Sequence, residues 1–298
     1  MKKRLLFNKE PYLFIAPALL IIFIFMLVPI FLTVFLSVTD ANILTVRNLD
    51  FDFIGFSNYL QFLRSGIFEN VVTSTIIFVF GSVILTYVFG MYVAILLNQA
   101  IRLKPIFRGI LILPWAVPQV VLVLIWKWMV NPQYGVLKYF LVGPGLVSED
   151  FTFLGNPNFA MLTILIVSLW RSYPLASVIL LAGLKTIPEE LYEAASIDGA
   201  NPFQKFIFIT LPGLRYVSSV LVLLLTIWSV GNFVIIWLMT GGGPADRTAV
   251  LAIYSYINAF KFTKLGYGAA IGMIALLFSL AISIIYYRLF MQRQEQEK

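Results

Sequence analysis

The sequence predicts an all-α integral membrane protein with six transmembrane helices. Its 298 residues are 60% hydrophobic and 12% charged, with a mean hydropathy of +0.93, whereas soluble domains are about half apolar and a quarter charged. The apolar residues gather into six segments, each long enough for a hydrocarbon core, which takes about 20 helical residues to cross. Lysine and arginine crowd alternate connections between these segments, the pattern that fixes membrane topology.

The segments occupy roughly 12–36, 71–97, 106–130, 159–183, 209–238 and 268–290. The first follows a basic MKKR and could pass for a signal peptide, but a secretory apolar core runs to about 7–15 residues; this longer run is expected to stay as an uncleaved span. In the third, Pro114 and Pro118 remove backbone donors and should loosen the helix near mid-membrane. The fourth carries Trp170-Arg171-Ser172-Tyr173-Pro174, where the Pro174 ring should break the ladder and free carbonyls in the preceding turn. Intramembrane charges are expensive and mark function by default. Arg171 could pair with those carbonyls, with an acid on another chain, or with a solute. The fifth carries Trp228, Ser229, Gly231 and Asn232 in an otherwise apolar run. An aromatic face and an amide fork one helical turn apart suit a sugar; interhelical packing with Gly231 at a close approach is the competing reading. Trp126, Trp128 and Trp237 lie near span ends, where an interfacial belt is expected.

Six spans place both termini on one side. Twelve basic residues fall on one set of connections, Lys2, Lys3, Arg4, Lys9, Arg102, Lys104, Arg108, Lys185, Lys205, Arg288, Arg293 and Lys298, against six on the other, so both termini are expected in the cytoplasm. No connection is long enough for a soluble domain. Residues 1–298 are therefore expected to form a single transmembrane domain, and any engine must sit on another chain.

There is no cysteine and no histidine, which excludes disulfides, a thiol nucleophile, a Cys/His zinc site and a Ser-His-Asp triad. A membrane-embedded enzyme is thus poorly supplied with catalytic groups. The net charge of +7 is spread between apolar spans rather than on an amphipathic basic stretch, and does not point to nucleic acid. A secondary transporter would need intramembrane acids for ion coupling and a detectable duplication; no Asp or Glu lies inside any span. The Gly241–Pro244 segment lacks the Lys-Ser/Thr of a P-loop and is expected to be an outer turn.

Residues 185–212 carry the strongest local signals. Thr186 and Glu189 have capping-box spacing, Pro188 is placed in the first turn, and Glu189 and Glu190 favour the positive helix end. A short helix should run to about Ile197 and stop where Asp198-Gly199 allows a sharp turn. Asn201 can cap a second helix with Pro202 at its first position, leading through Phe203, Phe206 and Phe208 into the fifth span. Such a hairpin, rigidly joined to a span, is built to transmit a push.

Glu193-Ala194-Ala195, three residues, Gly199, nine residues, then Ile209-Thr210-Leu211-Pro212 resembles the EAA signature of permease subunits in binding-protein-dependent ABC importers. PYLFIAPALL, FIGFSNYLQFL, LILPWAVP, NPQYGVLKYF and NFVIIWLMTGGGP extend the resemblance over nearly the whole chain, to the carbohydrate-uptake group with its maltose, oligosaccharide and glycerol-3-phosphate permeases. The resemblance implies a type I ABC importer permease fold in the compact six-span version, without the extra N-terminal spans and periplasmic insertion of large maltose permeases. It implies a non-enzymatic subunit with no cofactor of its own, ATP being bound by partners. The implied partners are a second homologous permease, two cytoplasmic ATPase subunits, an extracytoplasmic solute-binding protein facing the outer loops, and membrane lipid; the implied location is a bacterial or archaeal plasma membrane. It makes 185–212 the coupling segment, with docking by Glu193, Ala194, Ala195, Asp198 and Gly199 and with Pro212 at the base of the fifth span. Solute contacts carried over from maltose permeases fall on Trp115, Arg171, Ser172, Trp228, Ser229 and Asn232.

Overall fold

A computed structural model describes residues 10–99 and 104–288. The basic residues Lys2, Lys3, Arg4, Lys9, Arg102, Arg293 and Lys298 lie outside them. The described chain is helical, with no β-strand and a single isolated bridge between Thr39 and Phe53. In order the helices are α1 (Glu10–Ile22), α2 (Val28–Ser37), α3 (Ser57–Leu63), α4 (Phe68–Asn98), α5 (Lys104–Ala116), α6 (Gln119–Met129), α7 (Val136–Val142), α8 (Pro157–Leu184), α9 (Glu189–Ile197), α10 (Pro202–Lys205), α11 (Leu211–Gly213), α12 (Arg215–Val230), α13 (Val234–Met239), α14 (Leu251–Tyr256) and α15 (Leu265–Tyr286). Four spans are long and apolar enough to cross a membrane: Phe14–Ser37, α4, α8 and α15. Two bent pairs, α5 with α6 and Pro202–Gly213 with α12, bring the total to six when each counts as one span.

Each bend has an identifiable cause. Between α5 and α6 the axis turns by 92°, and Pro118 caps α6 at the break, close to where the two prolines are expected to loosen the helix. The second bend, 71° at Leu214, falls inside the apolar segment 209–238. Gly213 lets Ile187 approach so closely that a Cβ there would sit 2.7 Å from its Cδ1, and the same holds for Gly183 against Leu214, so the chain folds into an elbow at these small residues. The elbow stays hydrogen-bonded, Leu214 N donating to Thr210 O at 3.0 Å and Ser218 N to Leu214 O at 2.8 Å. Pro174 does not interrupt α8, which runs unbroken over 28 residues. The missing N–H costs one rung of the ladder.

The chain divides into two compact units. One joins residues up to Ser65 with Ser255–Ile274. Here the buried Asn58 side chain donates to the carbonyls of Ser37 (3.0 Å) and Thr39 (2.8 Å), and the Tyr59 hydroxyl donates to Ser37 Oγ at 2.7 Å. Gly266 N donates to Ala41 O at 2.9 Å, an approach that leaves no room for a side chain. The apolar side chains from Phe14 to Phe35 are exposed, as suits a helix whose solvent is lipid.

The other unit holds Gly66–Tyr254 and the chain from Ala275. Its centre is the pairing of α4 with α8, against which α12 packs. Val83, Met91, Ala94 and Leu97 meet Ala176, Leu180, Leu181 and Leu184, and Leu214, Leu221 and Leu225 close the cluster. Lipid tails are as apolar as leucine, so close packing rather than water exclusion drives such pairing, and small residues set the distance. A Cβ on Gly90 would lie 2.9 Å from that of Ala176. Gly90→Leu is expected to force the helices apart and destabilise this unit by about 1–3 kcal/mol, measured as a lower midpoint of thermal unfolding in detergent.

Candidate functional site

Two places gather the residues singled out from the sequence, both within the larger unit. The first is a cavity of about 460 Å³ lined by α4, α5, α6, α8 and the chain from α12 into α13, within the range of about 300–1,000 Å³ typical of ligand pockets. Trp115, Arg171, Ser172, Trp228, Ser229 and Asn232 all line it. Asn232 is not a helical turn on from Trp228, because α12 ends at Val230 and Gly231–Phe233 are non-helical. The break has a consequence for chemistry: it turns the Asn232 amide inward at a helix end, with Asn232 N bonded to Ser229 O at 3.2 Å.

Sequence reasoning missed Ser82, Thr86, Gln119 and Ser168, which also line the cavity. Ser82 and Thr86 stand four apart on α4, and Ser168 stands four before Ser172 on α8, so each pair shares a helix face. That periodicity was the available signal. Four side-chain atoms on the lining are buried without a hydrogen-bond partner among the described residues: Ser82 Oγ, Ser168 Oγ, Arg171 Nε and Asn232 Oδ1. Buried polar groups are normally satisfied, and leaving one unmade costs about 1–3 kcal/mol. A guanidinium, an amide and hydroxyl-bearing side chains therefore border one space, the few placed polar groups a ligand site carries, although these four atoms are themselves closed off from it.

The tryptophans divide. Trp115 and Trp228 stand at the cavity with part of their faces exposed. Trp126, expected at an interface, is half-buried and packs edge-on against Trp170 with centroids 6.0 Å apart, and Trp237 stacks on Phe233 at 5.6 Å. Trp128 is exposed beside Tyr134.

The second place is the hairpin after α8. Helix α9 spans Glu189–Ile197 and ends in a left-handed Gly199, φ +79°, closed by Ala200 N donating to Ala195 O at 2.8 Å, the six-to-one bond of a Schellman turn. Glu193, Ala194, Ala195 and Asp198 thus share one short helix and its cap. Asn201 caps α10 with the full reciprocal box to Gln204, at 2.8 and 2.9 Å. The box expected at the start of α9 does not form. Thr186 Oγ1 instead donates back to Gly183 O at 2.8 Å, and Pro188 occupies the cap position without a side-chain bond, because a hydroxyl two residues before the cap reaches the end of α8 first. Pro212 lies in α11, at the elbow below α12.

The Gly241–Pro244 segment is a turn with two left-handed glycines, Gly241 and Gly242. Thr248 Oγ1 donates to Gly243 O at 2.6 Å, and the following chain is tied to α4 by Ser74 Oγ to Arg247 O at 3.1 Å and Leu251 N to Thr75 Oγ1 at 2.9 Å.

With this geometry in place, comparisons give the chain relatives. The family model described as "binding-protein-dependent transport system inner membrane component" matches residues 86–294. The trehalose/maltose transport system permease protein MalF of Thermococcus litoralis is 34% identical over 281 residues, covering 94% of this chain and 93% of that protein. The diacetylchitobiose uptake system permease protein DasB of Streptomyces coelicolor is 33% identical over 96% of this chain and 88% of that protein. Among solved structures, a chain of a bacterial ABC transporter involved in the import of alginate superposes with a TM-score of 0.80 at 20% identity, covering 95% of both chains, which shows a shared fold.

Proposed function

The chain belongs to the family of binding-protein-dependent transport system inner membrane components, and from that premise we propose that it is the permease subunit through which an ATP-driven importer passes a sugar or oligosaccharide. The observation that carries the solute reading is the cavity, where polar side chains on α4, α8 and the α12–α13 break stand beside Trp115 and Trp228. Sugars present hydroxyls to such groups and C–H faces to such rings. Two relatives whose printed names specify trehalose, maltose and diacetylchitobiose support the same class.

In this reading a second permease completes the pathway, two ATPase subunits drive it, one of them docking on Glu193–Gly199 of this chain, and a solute-binding protein delivers from outside. Both termini lie in the cytoplasm, and 1–298 act as one transmembrane domain. ATP binding favours one state of the ATPase pair over the other, the differential affinity any ligand-driven switch needs. The coupling segment carries that motion to α12, and the cavity opens to alternate sides.

The test is uptake by the assembled importer in proteoliposomes, with maltose, trehalose, diacetylchitobiose and glycerol 3-phosphate offered in turn. ATP-dependent uptake of a saccharide supports the reading. Uptake of glycerol 3-phosphate alone moves the chain to the phosphate-ester permeases, and uptake without any ATPase bound overturns the importer. Asn232→Ala removes the buried acceptor and is expected to lower saccharide uptake about tenfold while the subunits still co-purify.

A further inference from the structure

The coupling helix has no fully buried residue, only Tyr192 and Ala195 being partly covered, so packing alone fixes it weakly to the chain it must move. What holds it is a closed circuit of hydrogen bonds among four residues, two of the bonds between side chains and two from a hydroxyl to a backbone carbonyl. Lys205 Nζ donates to Ser196 Oγ at 2.6 Å, and Ser196 Oγ donates to the Tyr192 carbonyl at 2.7 Å. The Tyr192 hydroxyl lies 2.9 Å from Thr210 Oγ1, which in turn reaches the Lys205 carbonyl at 3.4 Å. Either hydroxyl of the Tyr192–Thr210 pair can donate. Tyr192 and Ser196 are four apart on an α-helix and share a face. Lys205 and Thr210 are five apart, and they share a face because Phe206–Thr210 is a π-helical turn, closed by Leu211 N donating to Phe206 O. The extra residue in that turn brings the two pairs into register, and π turns inside helices are frequent at functional positions.

We propose that Tyr192, Ser196, Lys205 and Thr210 form a clamp that makes α9 and the Pro202–Gly213 segment one rigid lever, with the Tyr192–Thr210 bond as its principal tie. The inference deepens the coupling role above and rests on it. Thr210 is buried, and the bond from Tyr192 is partly shielded, whereas the Lys205–Ser196 bond is exposed, where competition with water leaves little net stabilisation. A groove of about 880 Å³ lined by Tyr192, Lys205, Phe206 and Thr210 opens beside the ring. Without the clamp, α9 has room to tilt into it, and motion given to α9 is lost before it reaches the elbow at Leu214.

The chain's lack of cysteine makes the test direct. Nitroxide labels at Glu190→Cys and Tyr216→Cys, both exposed positions, report the distance between α9 and α12 in the assembled importer in nanodiscs. The parent is expected to give one narrow distribution. Tyr192→Phe and Thr210→Val are each expected to widen it about twofold, the double variant no further than either single one, and Thr210→Ser to restore the narrow form. An unchanged width in Tyr192→Phe, additive widening in the double variant, or a Thr210→Ser distribution as wide as Thr210→Val overturns the clamp. The distance is internal to this chain, so the clamp is decided even if no ATPase binds the parent, a result that would overturn the coupling role separately.

Discussion

Replacing Gly199 with valine is expected to leave the protein in the membrane and its partners bound, while solute uptake per ATP hydrolysed falls at least about tenfold. The reason is confined to the backbone. Nothing lies within 4 Å of the position a Cβ would take, so no neighbour is pushed aside. The cost comes from φ +79°, a left-handed conformation that an ordinary L-residue adopts at about 1–2 kcal/mol and a β-branched one at more. Helix α9 has no fully buried residue to hold it, so it relieves that strain by unwinding its last turn, and the Ala200–Ala195 bond that aims the chain back toward Asn201 is lost. Asn tolerates the left-handed region, so Gly199→Asn is expected to retain most of the coupling. The measurement is parallel uptake and ATP hydrolysis in proteoliposomes, using whichever saccharide of the panel the parent carries. Equal uptake per ATP in Gly199→Val would show that the turn does not carry the motion.

What the sequence disclosed, and what it hid, follows from the range of the interactions. The apolar segments, the Asn201 cap and the Asp198–Gly199 stop are local, set by hydropathy, a polar side chain and a missing Cβ; the cap and the stop appear where the residues place them, and two of the six segments appear as bent pairs. The elbow at Leu214 is not local. It depends on Ile187 and Gly183 reaching Gly213 and Leu214 across the hairpin, contacts that a window along 209–238 cannot contain. Thr186 failed as a cap for a local reason, since the Gly183 carbonyl three residues back, at the end of α8, takes its hydroxyl. In the cavity, the aromatic and charged residues stood out against apolar spans, whereas Ser82 and Ser168 look like the small polar residues that any pair of membrane helices uses to approach. Only their place on the lining beside Arg171 and Asn232 separates them from packing residues.

Arg171 offers the sharpest separation of structure from function, and Arg171→Met is expected to split the two. Methionine keeps much of the unbranched side-chain volume and removes the charge. Of the partners open to Arg171, the carbonyls freed before Pro174 leave its Nε buried and unbonded among the described residues, so the guanidinium draws little from its own chain. Removing a buried charge whose partner stays behind costs about 3–5 kcal/mol, whereas removing one that leaves nothing unpaired is neutral or stabilising. If Arg171 serves the solute, the assembled importer should melt at or above the temperature of the parent while saccharide uptake falls about ten- to hundredfold, the range for a lost hydrogen bond to a charged group. If Arg171 instead pairs with an acid of the second permease, the same substitution strands that acid, and the complex should melt lower or come apart on purification. A variant that keeps both its melting temperature and its uptake would show that the charge is spent on neither, and would move the solute path away from the face of α8 that carries Ser168 and Ser172.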